Sequence, residues 1–232
     1  MVRIISILAM LSVAFLAVSP AEGGKSSSNA CGAKEFSYAG LQAENTAHGV
    51  SATIAPLALP TVADGHVGGW IGVGGTEEGP GGTAEWLQVG LASFAPANSI
   101  HLYYEVTVAG KGPSYHELDA DVQPGERHKL AVLEMRKHNS WWRVWVDNKP
   151  VTKPIHLPGS HGSFYPQALA ENWNGGTGTC NTYAYRFSDV KLAHTNGGVW
   201  QSLKHRYLFE DAGYQVVQTS RVPSNFVATS LS

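Results

Sequence analysis

The sequence predicts an all-β protein, one twisted sandwich of two antiparallel sheets, and three observations predict it. Turn residues recur roughly every 8 to 15 positions along most of the chain, the cadence that a sandwich or barrel requires. The segments between them alternate apolar and polar residues, and none keeps a helical period over three turns. Charged residues are only 15% of the chain while 26 of its 232 residues are glycine, a mix that suits strands joined by tight turns.

The first element reads as an export signal. Met1-Val2-Arg3 supplies one positive charge, residues 4–18 form an apolar run broken only by Ser6 and Ser12, and Ser19-Pro20-Ala21-Glu22-Gly23 ends it. This is the pattern of a secretory signal over residues 1–23, cleaved after Ala21 or Gly23. The run is shorter than the roughly 20 apolar residues of a membrane span. A Ser-rich linker is expected over residues 24–35, the sandwich over residues 36–220, and a loose tail over residues 221–232, with one late strand over residues 214–219. After signal removal the expectation is an extracellular protein with no membrane contact. Its net charge of -2 gives it no electrostatic footprint for nucleic acid. The two cysteines, Cys31 and Cys180, are expected to pair in that oxidising compartment.

The strands follow from alternation. Over residues 85–91, Leu87, Val89 and Leu91 oppose Trp86, Gln88 and Gly90. Over residues 101–108, Leu102, Tyr104, Val106 and Val108 oppose His101, Tyr103, Glu105 and Thr107. Over residues 141–147, Trp142, Val144 and Val146 oppose Trp141, Arg143, Trp145 and Asp147. Over residues 167–173, Ala168, Ala170 and Asn172 oppose Gln167, Leu169, Glu171 and Trp173. Asp147-Asn148 predicts a hairpin turn, because Asn tolerates positive φ. Several strands therefore carry a second face of Trp, Tyr, Gln, Glu and His. Such a face resembles a binding groove more than a solvated surface, since flat rings give contact area and a few polar groups fix orientation.

Motifs for several chemistries are absent. There is no Gly-x-Ser-x-Gly elbow, no His-Glu-x-x-His and no phosphate-binding Gly-x-x-x-x-Gly-Lys. The ten histidines are scattered without metal spacing, so no metal is expected and each reads as a surface or hydrogen-bonded residue. One carboxylate cluster, Glu117, Asp119 and Asp121, alternates along a strand and loosely resembles the Glu-x-Asp-x-Glu strand of jelly-roll β-glucanases. Residues four apart on a strand lie about 13 Å apart, whereas a retaining pair needs carboxyls about 5 Å apart, so a solvated strand end is the expectation there.

A second set of segments occurs in a telling order: Tyr38-Ala39-Gly40-Leu41, Val50-Ser51-Ala52-Thr53, Gly69-Trp70-Ile71-Gly72-Val73-Gly74-Gly75, Glu85-Trp86-Leu87-Gln88-Val89-Gly90, Tyr103-Tyr104-Glu105, Val122-Gln123-Pro124-Gly125-Glu126, Gln167-Ala168-Leu169-Ala170-Glu171 and Phe187-Ser188-Asp189-Val190. Together they resemble the glutamic peptidases (eqolisins), secreted acid proteases with a concanavalin-like, jelly-roll sandwich. The resemblance implies that Gln88 and Glu171 are the catalytic pair and that Trp70, Trp86, Tyr103, Glu105 and Trp173 line a groove for polypeptide. It implies an acid endopeptidase that needs no metal or cofactor. Glu171 would act as general base and then acid, and the Gln88 amide would stabilise the oxyanion. Four positions depart from the family pattern: Gly74 stands for Asp, Tyr38 for Trp, Thr107 for Tyr and Gln167 for Glu. The alternative expectation is a non-catalytic, lectin-like sandwich that grips an extracellular carbohydrate or peptide on the same aromatic face.

Overall fold

The computed structural model describes residues 31–96 and 99–231. The export signal over residues 1–23 lies outside the described residues. Sixteen strands follow in chain order: β1 (Phe36–Ala43), β2 (Gly49–Pro56), β3 (His66–Gly75), β4 (Glu85–Phe94), β5 (Ile100–Thr107), β6 (Ser114–Val122), β7 (His128–Glu134), β8 (Trp141–Val146), β9 (Lys149–Pro150), β10 (Ile155–His156), β11 (Pro166–Trp173), β12 (Ala184–Ala193), β13 (Trp200–Ser202), β14 (Arg206–Glu210), β15 (Tyr214–Gln218) and β16 (Phe226–Ser230). Among the described residues the single helical element is a 3-10 turn at Pro80–Gly82.

The strands form two antiparallel sheets packed as a sandwich. The first runs β14-β1-β11-β3-β4-β5-β6, and the second runs β10-β8-β7-β2-β12-β16-β15, with β13 on β12 and β9 on β8. Leu87, Val89, Leu91, Trp142, Val144, Ala168 and Ala170 all lie in the shared core, so the apolar half of each alternating segment is the inner half. The close approach of the sheets has a specific cause at Gly69. A Cβ there would lie 2.6 Å from the Tyr185 ring of the opposite sheet. The fully buried Trp142 indole is also satisfied, since its Nε1 donates to Ser160 Oγ at 2.7 Å, which avoids the cost of an unpaired buried N–H.

Asp147 and Asn148 both have positive φ and join β8 to β9, the hairpin that the Asp-Asn pair predicts. Cys31 and Cys180 form a disulfide across 149 positions. The segment from residue 31 to 35 is therefore tethered, and Trp173 Nε1 and the Asn174 N–H reach Glu35 at 2.9 and 3.1 Å. The C-terminal expectation needs correction. Residues 226–230 are not a loose tail. They form β16, which fills the space between β12 and β15. Phe226 is fully buried and stacks on Phe187 with ring centroids 4.6 Å apart. The sequence hid this because Phe226-Val227-Ala228-Thr229-Ser230 is short and follows a Pro-containing turn, and only its partner strands make it a strand.

Candidate active site

The first sheet turns a chemically unusual face outward. In register, Gln88 of β4 lies between Gly72 of β3 and Glu105 of β5. Glu171 of β11 lies between Tyr38 of β1 and Gly68 of β3. Because successive side chains alternate, all of these share one face with Trp70, Trp86, Tyr103, Gln167 and Trp173. Gly68, Gly72 and Gly90 make a floor without side chains, and at Gly90 a Cβ would collide with Trp70.

Glu171, Glu105 and Gln88 are each held by another side chain on this face. Glu171 Oε1 bonds His66 Nε2 at 2.9 Å, and its Oε2 accepts from Trp70 Nε1 at 3.3 Å. Its side chain remains 13% exposed, so solvent reaches the carboxylate. Glu105 Oε1 accepts from Trp86 Nε1 at 3.0 Å. Gln88 Nε2 donates to Tyr103 Oη at 3.1 Å, and Tyr103 stacks on Tyr115 with centroids 5.0 Å apart. A Cβ on Gly68 would lie 3.8 Å from Tyr103 Oη. The Tyr103 hydroxyl thus stands between the amide and the Glu171 end of the face.

The electrostatics tie these groups together. Burial pushes the Glu105 carboxyl above its ordinary value of 4.5; the Trp86 hydrogen bond offsets part of this, the Glu171 charge raises it further and His66 lowers it. Burial, then Glu171 and Glu105, drive the Tyr103 phenol well above its ordinary value. Burial, then Glu171, Asp211 and Glu105, do the same at Tyr38. Both phenols therefore stay neutral and keep their protons as donors.

The structure gathers the seven residues expected from the sequence onto one face, with differing exposure and partners. Gln88 and Glu171 are not hydrogen-bonded to each other. Along β3 their partners Gly72 and Gly68 are four positions apart, about 13 Å of strand. The residue directly across β3 from Gln88 is Gln167. Trp70 and Tyr103 are 6% and 4% exposed, so little of either ring is open, and each is hydrogen-bonded to Glu171 or Gln88. Trp86 and Trp173 are only partly buried, and Trp173 packs on His66 with centroids 5.3 Å apart.

Two residues escaped the sequence reading, His66 and Tyr115. Both follow turn residues, and nothing local signals that β3 and β6 deliver them to Glu171 and Tyr103. The Glu117, Asp119 and Asp121 cluster lies on the edge strand β6, fully at the surface, with Glu117 bound to His101 at 2.8 Å. Register shifts at Leu102 break its simple alternation. Gly74 has φ of +86° and a Cβ there would overlap the Glu85 carbonyl, which excludes the Asp of the family pattern at this position. Two hollows of about 400 and 420 Å³ open on the other sheet, around Trp145 and Leu133, and neither includes Gln88 or Glu171. The histidines do not stay scattered: His48 and His161 meet on Glu134.

No protein-family model matches this sequence, and no curated protein matches it. Among solved structures, the chain is similar to a crystal structure of scytalido-glutamic peptidase with a peptide-based transition-state analogue, with a TM-score of 0.58 and 14% identity over 85% of this chain and 99% of that one. It is also similar to LamAcat from Zobellia galactanivorans, with a TM-score of 0.33 and 11% identity over 80% of this chain and 65% of that one. Sheep galectin-11 matches at a TM-score of 0.30 and 17% identity over 56% of this chain and 90% of that one. The class is thereby defined by fold: a two-sheet antiparallel β-sandwich of jelly-roll type. Within that class its architecture is the one seen in the glutamic peptidase structure, at an identity that speaks for the fold alone.

Proposed function

We propose that this chain is an exported acid hydrolase of the glutamic-peptidase kind, cleaving polypeptide without a metal or cofactor. The observation that carries the reading is the outer face of the first sheet, which gathers one amide held by Tyr103, one carboxylate held by Trp86 and one held by His66 and Trp70. Glu171, solvent-reachable and fixed by His66 and Trp70, takes a proton from water as the water attacks the peptide carbonyl. It then returns that proton to the leaving amine. Gln88 donates from Nε2 to the oxyanion, a contribution of about 3–4 kcal/mol when preorganised. Glu105, raised by burial, carries a proton further up the pH scale than an exposed carboxylate and serves as a second donor. Trp86 and Trp173 offer partly exposed rings for substrate side chains. The disulfide and the apolar leader support export.

The test is incubation with an unfolded protein between pH 2 and 6. Cleavage is expected, with at least a hundredfold loss in Glu171→Gln. Cleavage that is absent, or unchanged in that variant, rejects the reading.

One observation favours a second reading, a binding sandwich without catalysis. Gln88 faces Gln167 across β3, and Glu171 is displaced four positions along it. Retention on an immobilised polysaccharide or peptide, lost in Trp86→Ala and kept in Glu171→Gln, would support it.

A further inference from the structure

Glu134 is the last residue of β7, His48 immediately precedes β2, and His161 lies in the loop before β11. The pairing of β2 with β7 brings the first two together, since the Glu134 N–H donates to the His48 carbonyl at 2.9 Å. The loop then lays His161 over them, with the two imidazole centroids 5.1 Å apart. His48 Nδ1 lies 2.6 Å from Glu134 Oε2, and His161 Nδ1 lies 2.8 Å from Oε1. The Ser140 N–H also donates to Oε1, at 2.6 Å.

The Glu134 side chain is 0% exposed. Among the described residues its ion-pair partners are these two histidines, with no Lys or Arg. A carboxylate removed from water needs a compensating positive charge. A cation held between these three side chains would supply that charge directly. The donor set of two imidazole nitrogens and one carboxylate suits a borderline divalent transition ion, and leaves one tetrahedral position open. Hard cations such as Mg²⁺ prefer an all-oxygen shell.

We propose that His48, Glu134 and His161 form a site for one zinc-type divalent ion, bound through both Nδ1 atoms and the Glu134 carboxylate. Their ligand atoms already lie within 4.8 Å of one another. Zinc–ligand distances of about 2.0–2.2 Å set tetrahedral neighbours roughly 3.3 Å apart, so each His–carboxylate contact opens by about 0.5–0.7 Å on binding. His161 has the freedom to move. Its side chain is 41% exposed, and its loop carries Gly159 and Gly162, both at positive φ. The Ser140 N–H fixes the carboxylate from behind, as outer hydrogen bonds do at metal sites. The ion would staple the start of β2, the end of β7 and the loop feeding β11. It stands independently of any role for Gln88 and Glu171.

The experiment uses the untagged chain, stripped with EDTA, dialysed and titrated with ZnCl₂ at pH 7.5 by calorimetry and thermal unfolding. The expected result is saturable binding of one ion per chain and a rise in Tm of several degrees, neither reproduced by MgCl₂. His161→Ala removes an exposed ring and spares the fold, which circular dichroism of the metal-free variant checks. It should lower zinc affinity at least tenfold and abolish the Tm gain, and His48→Ala should do the same. Absence of saturable binding, or binding and a Tm gain unchanged in both variants, overturns the site.

Discussion

Tyr103 Oη accepts a hydrogen bond from Gln88 Nε2 at 3.1 Å, and this single contact decides where the amide points. Tyr103 is 4% exposed and wedged against Tyr115, so the acceptor does not wander. Tyr103→Phe keeps the ring and its stacking and removes only the acceptor. Stability should fall by about 0.5–1.5 kcal/mol, the net value of one hydrogen bond. Turnover of an unfolded substrate should drop about tenfold with little change in KM, because a free amide is no longer preorganised for the oxyanion. Steady-state kinetics at acid pH check this.

Glu105 gives the protein a pH-dependent cost. Burial raises its folded value above the ordinary 4.5, so its share of stability is complete below that ordinary value and is lost as pH rises through the folded value. Glu105→Gln keeps the Trp86 N–H acceptor and cannot ionise. The variant should match the parent near pH 3.5 and exceed it at pH 7, by about 2–4 °C in Tm per kcal/mol relieved. Thermal unfolding across pH 3.5–7.5 measures it. Equal Tm curves for the two proteins would contradict this account of Glu105.

Gly74→Asp would restore the residue of the glutamic-peptidase pattern but not its side-chain position. The backbone is left-handed there and a Cβ overlaps the Glu85 carbonyl. A loss of at least about 1–3 kcal/mol is expected from the backbone strain alone, with no gain in activity. Denaturant unfolding and the acid cleavage assay report the two effects.

Phe226→Ala tests the strand that the sequence leaves as tail. With the ring fully buried against Phe187, the substitution should cost about 3–5 kcal/mol. A surface tail would lose almost nothing. Chemical denaturation separates the two outcomes.

Much of the architecture is legible in the sequence because its signals are local. Alternation sorts Leu87, Val89 and Leu91 inward and Gln88 outward, and Asp147-Asn148 marks its own hairpin. The outward placement of Gln88, Glu105 and Glu171 is likewise readable one strand at a time. Register is not local. Nothing within β11 says that Glu171 sits beside Gly68 and His66 while Gln167 sits opposite Gln88. Nor does any spacing announce that residues 48, 134 and 161 meet.

The sequence by itself determined the fold class, the disulfide partners and the chemistry carried on each strand, because side-chain period and turn residues act over a few positions. The tertiary structure alone decided which acid faces which amide, that Trp70 and Tyr103 are buried against Glu171 and Gln88, that residues 226–230 belong to a sheet, and that two distant histidines share one buried carboxylate. Those outcomes depend on hydrogen-bonded pairing between strands far apart in the chain, and such pairing is fixed by the packing of the whole core.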